Sequence, residues 1–298
     1  MTRPPANMAA SVRQRLLNLA RAQGQVFDVV LVAFGLERLL YRLSLSSYRD
    51  RFVLKGGLLV TLWTADTGRF TRDIDFLAFG PDDEASLRSA FAEILAIDAE
   101  DGLVFDAANL TAMLIREDQV YGGMRLRTTA HLGATRIPVV IDLGFGDALG
   151  DPQYQVAYDS LLDFPPATIR AYSPATVIAE KFHAVVALGL ANSRMKDFYD
   201  LVTLPRAIPI ETDDLAKTIR NTFERRTTAV PRLRPDGLSD AFGRDPIRQT
   251  QWRAYVADTE LADSELIAIL EDIWSRLGPI CTVIAVAAEA SDNTEPGQ

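Results

Sequence analysis

Phe52-Val53-Leu54-Lys55-Gly56-Gly57 and, after a short apolar stretch, Arg69-Phe70-Thr71-Arg72-Asp73-Ile74-Asp75-Phe76-Leu77 decide how this chain is read. An apolar strand runs into a glycine pair, a short helix rich in Leu58, Leu59, Leu62 and Trp63 follows, and a second strand carries two carboxylates at i and i+2. Side chains alternate along a strand, so Asp73 and Asp75 are expected on one face while Ile74 and Phe76 enter the core. Two ionised carboxylates side by side repel each other unless a cation stands with them. Mg²⁺ suits that place, because it takes few protein carboxylates and fills its octahedron with water and phosphate oxygens. Gly56 and Gly57 let the backbone approach a triphosphate and offer it N–H groups, particularly if a helix starts at Leu58. Alone, an Asp-x-Asp is usually a solvated strand end and a Gly-Gly usually a bend. Their order along the chain is what favours a site.

Upstream, residues 9 to 47 read as helical, with Val29, Val30, Val32, Leu36, Leu39, Leu40 and Leu43 forming the stronger apolar stripe. Downstream, Asp82-Asp83-Glu84 opens a helix through Ile97, with acids at the favoured N-terminal end. From Leu103 to Gly146 the pattern turns to short strands: Leu103 to Phe105, Ala112 to Arg116, Met124 to Ala130 and Ile137 to Leu143. Within the last of these, the buried-looking run from Ile137 ends with the carboxylate of Asp142, the expected position for a third acid beside Asp73 and Asp75. A strand-end cap, or a bond to the loop Gly144-Phe145-Gly146-Asp147, fits Asp142 equally well.

Residues 147 to 172, rich in Asp, Pro and aromatic residues, read as a crossover. After Ser173-Pro174 the chain becomes helical, over Thr176 to Leu190, Met195 to Leu204, Asp213 to Phe223, about Pro246 to Val256, and Asp263 to Leu277. The predicted fold is α+β: a mixed β-sheet lobe with flanking helices over 1–150, including an N-terminal helical cap, then an α-helical C-terminal lobe over 151–288. The second lobe is expected to complete the active-site cleft, and a polar tail over 289–298 is expected to be disordered.

With 298 residues the chain can bury one large or two modest cores. Its 48% hydrophobic and 24% charged residues are ordinary for a globular protein and exclude a fibre or a largely disordered chain. The N-terminus has arginines but no continuous apolar run, and no later segment reads as a membrane span, so a cytoplasmic protein with no membrane association is expected. A single cysteine, Cys281, excludes an internal disulfide and a cysteine-rich zinc site; lying among Ile280, Val283 and Ile284, it reads as a packing residue. The net charge of −9 argues against a protein that coats nucleic acid nonspecifically. A local patch remains open: Arg220, Arg225, Arg226, Arg232 and Arg234 head an arginine-rich stretch with aromatic residues interleaved, which suits solvated helix faces as well as an RNA-binding surface.

The C-terminal half adds two polar clusters. In Glu180-Lys181-Phe182-His183-Ala184, apolar residues surround one acid, one base and one imidazole on a helix. Lys181 is the cation placed to steady phosphate charge, although a lysine stem lying along an apolar surface is also common. Asp197 follows in Arg194-x-Lys196-Asp197-x-x-Asp200-Leu201, where it can pair with Lys181 or act as a base, with Asp200 the alternative. His183 reads as a core histidine, and with His131 far away in sequence there is no histidine-rich metal pattern.

Gly56-Gly57 followed by Asp73-Ile74-Asp75 resembles the nucleotidyltransferase signature of the DNA polymerase beta superfamily. More narrowly, Lys55-Gly56-Gly57, Arg69-x-Thr71-x-Asp73-x-Asp75, Glu180-Lys181-Phe182-His183-Ala184 and Arg194-x-Lys196-Asp197-x-x-Asp200-Leu201 resemble, in order, the four motifs of the AbiEii-type toxins, a group that includes the MenT toxins of mycobacteria. The resemblance spans about residues 30 to 275. It implies a nucleotidyltransferase fold and a bacterial toxin of the abortive-infection type, with an antitoxin encoded nearby, whose relatives add nucleotides to the 3′ end of tRNA and halt growth. Carried onto this chain, it implies catalytic Asp73, Asp75, Lys181 and Asp197, nucleotide binding by Lys55, Gly56, Gly57, Arg69, Thr71 and Lys181, and Mg²⁺ or Mn²⁺ on Asp73, Asp75 and, as a third ligand, Asp142. The NTP is the substrate, tRNA the expected acceptor, and a monomer the expected state. The same fold acting on a protein hydroxyl, or as a phosphotransferase, is the alternative; a non-catalytic nucleotide sensor is disfavoured because Asp73, Asp75, Lys181 and Asp197 are all present.

Overall fold

The computed structural model describes residues 7–64, 66, 71–115, 122–146 and 151–292. The chain divides into two compact units. The first comprises Met1–Leu62, Phe70–Asp147 and Pro152–Ala171, and the second Trp63–Arg69, Ala148–Asp151 and Tyr172–Gln298.

In the first unit the N-terminal helical region is two helices, α1 (Met8–Gln23) and α2 (Phe27–Leu45). The break falls where Gly24 takes φ +65°, a left-handed C-cap whose N–H returns to the carbonyls of Ala20 and Arg21. The strand β1 (Phe52–Lys55) leads through Gly56 into α3 (Gly57–Thr64), and β2 (Ile74–Ala78) follows. Asp83 caps α4 (Glu84–Leu95) by accepting from the N–H of Ser86. The strands β3 (Leu103–Phe105), β4 (Thr111–Ile115), β5 (Gly123–Leu132) and β6 (Thr135–Gly144) complete a sheet of order β1-β2-β6-β5-β3, with β4 paired to β5. All pairings are antiparallel except β2 with β6, which is parallel.

Alternation sorts this sheet into two faces. Along β5 and β6, Met124, Leu126, Thr128, Ala130, Leu132, Ile137, Val139, Ile141 and Leu143 are buried while the residues alternating with them are not. Phe52 and Phe76 extend the buried face and meet Phe91 of α4, with ring centroids 4.8 and 6.3 Å from it. Gly35 lets α2 close on β6, since a Cβ there would stand 3.3 Å from Ile137. Arg38 and Arg42 of α2 are buried and share the carboxylate of Asp101 at 2.9 and 2.7 Å. The carbonyls of Ile97, Leu103 and Pro165 take further guanidinium N–H groups. Glu37, also buried, accepts from the Ser160 hydroxyl at 2.5 Å and the Leu161 N–H at 2.7 Å.

The stretch read as a crossover contains a hairpin of β7 (Gln155–Tyr158) and β8 (Ala167–Arg170), which belongs to the first unit. Its alternation, with Val156, Ala167 and Ile169 buried, spans only four residues per strand and is hidden among prolines and acids.

The second unit is helical. Ser173 and Pro174 start α5 (Pro174–Leu188), with the Ser173 side chain accepting from the Thr176 N–H. It is followed by α6 (Met195–Ala207), α7 (Thr212–Arg225), the short α8 (Asp240–Arg244), α9 (Pro246–Val256) and α10 (Leu266–Asp292). Phe182 of α5 packs on Phe223 of α7 at 5.6 Å, and Phe198 of α6 on Phe242 of α8 at 5.2 Å. The final helix runs to Asp292, past Glu289 where the polar tail is expected to begin, and 293–298 lie outside the described residues. One stretch, Pro174–Ala191, is long and apolar enough to cross a membrane by length and composition. Half of it is buried, and Val177, Ile178, Phe182 and Val185 form part of this unit's core.

Candidate active site

Lys55 leaves β1 at the glycine turn, and Gly56 takes φ +73°, a conformation that glycine adopts without a Cβ penalty. A Cβ on Gly56 would stand 2.7 Å from Cγ and 2.9 Å from Cβ of Asp75, so only glycine fits against that carboxylate. The helix α3 begins at Gly57, directly after the turn, as its expected start near Leu58 requires. Asp73 lies in the bend before β2 rather than within the strand, and its Oδ1 accepts from the Thr71 hydroxyl at 2.6 Å. Ile74 and Phe76 are fully buried and Asp73 and Asp75 are not, which is the alternation the sequence predicts.

Strand register sets four charges in one row across four strands: Lys55 opposite Asp75, Asp75 opposite Asp142, and Asp142 opposite Arg125. Directly opposed residues share a face, so all four lie on the face of the sheet away from Ile74, Phe76 and Ile141. Arg125 grips both oxygens of Asp142, Nε to Oδ1 at 2.7 Å and Nη2 to Oδ2 at 2.6 Å. The hydrogen bond and charge of Asp142, with additional pull from Asp73 and Asp75, hold the guanidinium charged above its ordinary range. The stem of Lys55 reaches over β6, where a Cβ on Gly144 would meet its Nζ at 3.0 Å. Arg69 lies outside the described residues.

In the second unit, Lys181 of α5 bonds both acids of the fourth motif, Asp197 Oδ1 at 2.8 Å and Asp200 Oδ2 at 2.7 Å. The side chain of Asp200 is fully sealed, whereas those of Asp197 and Lys181 keep 6% and 12% exposure. Arg194 and Lys196, the bases of the same motif, are exposed.

The AbiEii profile, described as "Nucleotidyl transferase AbiEii toxin, Type IV TA system", matches residues 38–275. The chain belongs to this family. As an AbiEii toxin it is a nucleotidyltransferase, and its type IV toxin–antitoxin system implies a cognate antitoxin. No curated protein matches the chain. Among solved structures it is similar to a candidate nucleotidyltransferase from H. pylori (16% identity, 86% of this chain and 94% of that one, TM-score 0.38). It is likewise similar to JHP933 from Helicobacter pylori (16% identity, 87% and 93%, TM-score 0.40).

For this AbiEii chain, Asp73, Asp75 and the glycine turn form a donor set that fits a hard divalent cation: two half-buried carboxylates beside a backbone cradle that a Cβ would fill. The expected third ligand, Asp142, stands opposite Asp75 in the sheet but is engaged elsewhere. Asp142 has both oxygens bound to Arg125, and among the described residues no group of three His, Cys, Asp or Glu side chains is arranged to hold a metal. Arg125 belongs to no motif in the sequence, yet the two-residue turn Gly133-Ala134 fixes the β5–β6 register, and counting outward from it puts Arg125 opposite Asp142.

The arginine stretch of the AbiEii chain divides. Arg220 and Arg225 on α7, and Arg232 after it, are exposed. Arg226 turns inward, bonding Glu180 at 2.9 Å and reaching His183 Nδ1 at 3.3 Å, and Arg234 pairs with Asp240 at 3.3 Å with two of its nitrogens buried. His183 is buried against Phe223, with Nε2 3.0 Å from the Thr228 hydroxyl, which fits its reading as a core histidine. Burial pushes the Cys281 thiol up to about 12, leaving it protonated and inert at neutral pH.

Proposed function

We propose that this toxin transfers a nucleoside monophosphate from an NTP to the 3′ end of tRNA, with Mg²⁺ or Mn²⁺, and thereby blocks translation in the cytoplasm. The observation that carries this reading is the contact of Gly56 with Asp75, because a residue bare of side chain beside a carboxylate is what a phosphate chain and its counter-ion need from the same turn. Asp73 and Asp75 would hold the metal, which when bound supplies positive charge against the transferring phosphates. The backbone at Gly56 and Gly57, with Lys55, is assigned to the triphosphate. Thr71 orients Asp73 through its 2.6 Å hydrogen bond.

The reaction is an in-line displacement. The terminal hydroxyl of the acceptor gives its proton to a base, the role assigned to Asp197, as its oxygen bonds to the α-phosphorus, the bond from that phosphorus to the bridging oxygen breaks, and pyrophosphate leaves. Lys181 is assigned to phosphate charge. Of the two acids bound to Lys181, Asp197 is assigned to the chemistry and Asp200 to anchoring the lysine, because a sealed carboxylate cannot meet a substrate. Arg220, Arg225 and Arg232 are the exposed arginines of this stretch suited to an RNA backbone, whereas Arg226 and Arg234 are engaged within their own unit. The protein is read as a monomer.

The test is incubation of the purified protein with Mg²⁺, total bacterial tRNA and each α-labelled ribonucleoside triphosphate in turn, beside a folded Asp75→Ala variant. Label on tRNA that needs Asp75 supports the proposal. Label on protein instead, or on neither, overturns the RNA acceptor.

A further inference from the structure

The row Lys55, Asp75, Asp142, Arg125 sets two carboxylates on neighbouring strands and a cation at each end. Strands lie about 4.8 Å apart, and like charges directly opposite each other on one face are destabilising. Such a pair would ordinarily be a ready-made metal clamp. Asp142 is held by a fixed cation, because Arg125 meets it with two parallel N–H···O bonds at 2.7 and 2.6 Å, which occupy both carboxylate oxygens. The pair is two-thirds or more shielded from solvent, with side-chain exposures of 32% and 16%, so water and salt weaken it less than they would a surface pair. Arg125 also lies within the field of Asp73 and Asp75.

We propose that Arg125 is a positioning residue that withholds Asp142 from the metal, so that the ion is held by Asp73 and Asp75 alone. The inference rests on the metal reading of Asp73 and Asp75 given above. Arg125 acts as a built-in cation that neutralises Asp142 permanently, and the exchangeable ion is assigned to Asp73 and Asp75. A site with two carboxylates and a fixed guanidinium beside them holds a bare divalent ion weakly, and it gains most of its grip when NTP oxygens fill the remaining positions. Metal and nucleotide are therefore expected to bind together.

The experiment measures Mn²⁺ binding to the full-length protein by the loss of the free-ion electron paramagnetic resonance signal, with and without a non-hydrolysable NTP analogue. Thermal melting in EDTA is recorded in parallel. Arg125→Gln is expected to bind Mn²⁺ roughly tenfold tighter, because a cation is removed and a carboxylate released, yet to melt lower in EDTA, where two carboxylates then face each other. The paired variant Arg125→Gln/Asp142→Asn exchanges one neutral pair for another and is expected to bind Mn²⁺ within about twofold of wild type. Arg125→Lys should fall between wild type and Arg125→Gln in both measurements. A paired variant that loses Mn²⁺ as severely as Asp75→Asn would make Asp142 a ligand and overturn the inference. So would an Arg125→Gln that binds Mn²⁺ more weakly, the mark of a merely structural arginine. Wild-type protein that binds no Mn²⁺ even with the analogue would instead overturn the metal reading of Asp73 and Asp75.

Discussion

Gly56 lies so close to Asp75 that a single methyl group on it would overlap the carboxylate, with the added carbon 2.7 Å from Cγ. Gly56→Ala faces two penalties, since φ +73° is also unfavourable for any residue bearing a Cβ. The expected cost is about 1–3 kcal/mol of stability, with a larger effect on chemistry, because Asp75 must move away from its place. Denaturant melts beside NTP-transfer assays check this, and a Gly56→Ala protein with wild-type turnover would show that the cradle is not used.

Lys181 is the shared partner of two buried acids. Lys181→Met removes the cation that Asp197 and Asp200 share, which should cost about 3–5 kcal/mol and abolish transfer. Adding Asp200→Leu should recover much of the stability and none of the transfer. Recovery of both by the double variant would reduce Lys181 to a structural residue.

Asp101 neutralises two buried guanidinium groups at once. Asp101→Asn strands Arg38 and Arg42 with only carbonyls and one amide oxygen, and the expected loss is about 3–5 kcal/mol, seen as a lower melting temperature with unchanged metal binding in any protein that remains folded.

Glu37 makes stability depend on pH. Burial is the largest influence on it and raises its carboxyl from 4.5 to about 7, against the hydrogen bonds from Ser160 and Leu161 and the charge of Arg38, which pull the other way. Between those values the folded chain holds a proton that the unfolded chain has released. The stabilisation from neutral Glu37 is thus complete below about pH 4.5 and lost as pH rises through about 7. Glu37→Gln, which cannot ionise, should remove this component, so the ratio of variant to wild-type stability rises from pH 5 to pH 8. Parallel melting curves for the two proteins across that range would contradict it.

The elements most legible in the sequence were those whose signals are local. The short-strand pattern marked β5 and β6, Ser173-Pro174 marked the start of α5, and Pro246 to Val256 coincides with α9. The β7–β8 hairpin was lost because four-residue strands carry too few alternations to stand out from their flanking prolines. The apolar stripe of residues 9 to 47 says nothing of Arg38 and Arg42; their burial depends on Asp101, about sixty residues away, which no window reveals. The site divides in the same way. The glycine turn and Asp-x-Asp lie close together in sequence and were found, whereas Arg125 became visible only once register placed it opposite Asp142. For Lys181, the pairing with Asp197 was foreseen as one option, and its simultaneous hold on Asp200 is what the fold adds.

The central claim is that this chain moves a nucleoside monophosphate rather than a phosphoryl group, using Asp75. The most direct measurement supplies tRNA and Mg²⁺ with the same NTP labelled in one reaction at the α-phosphate and in another at the γ-phosphate, for wild type and a folded Asp75→Ala. The account predicts α-label on the RNA, γ-label released as pyrophosphate, and neither event with Asp75→Ala. Transfer of γ-label to any acceptor, or α-label on RNA with Asp75→Ala at the wild-type rate, would contradict it.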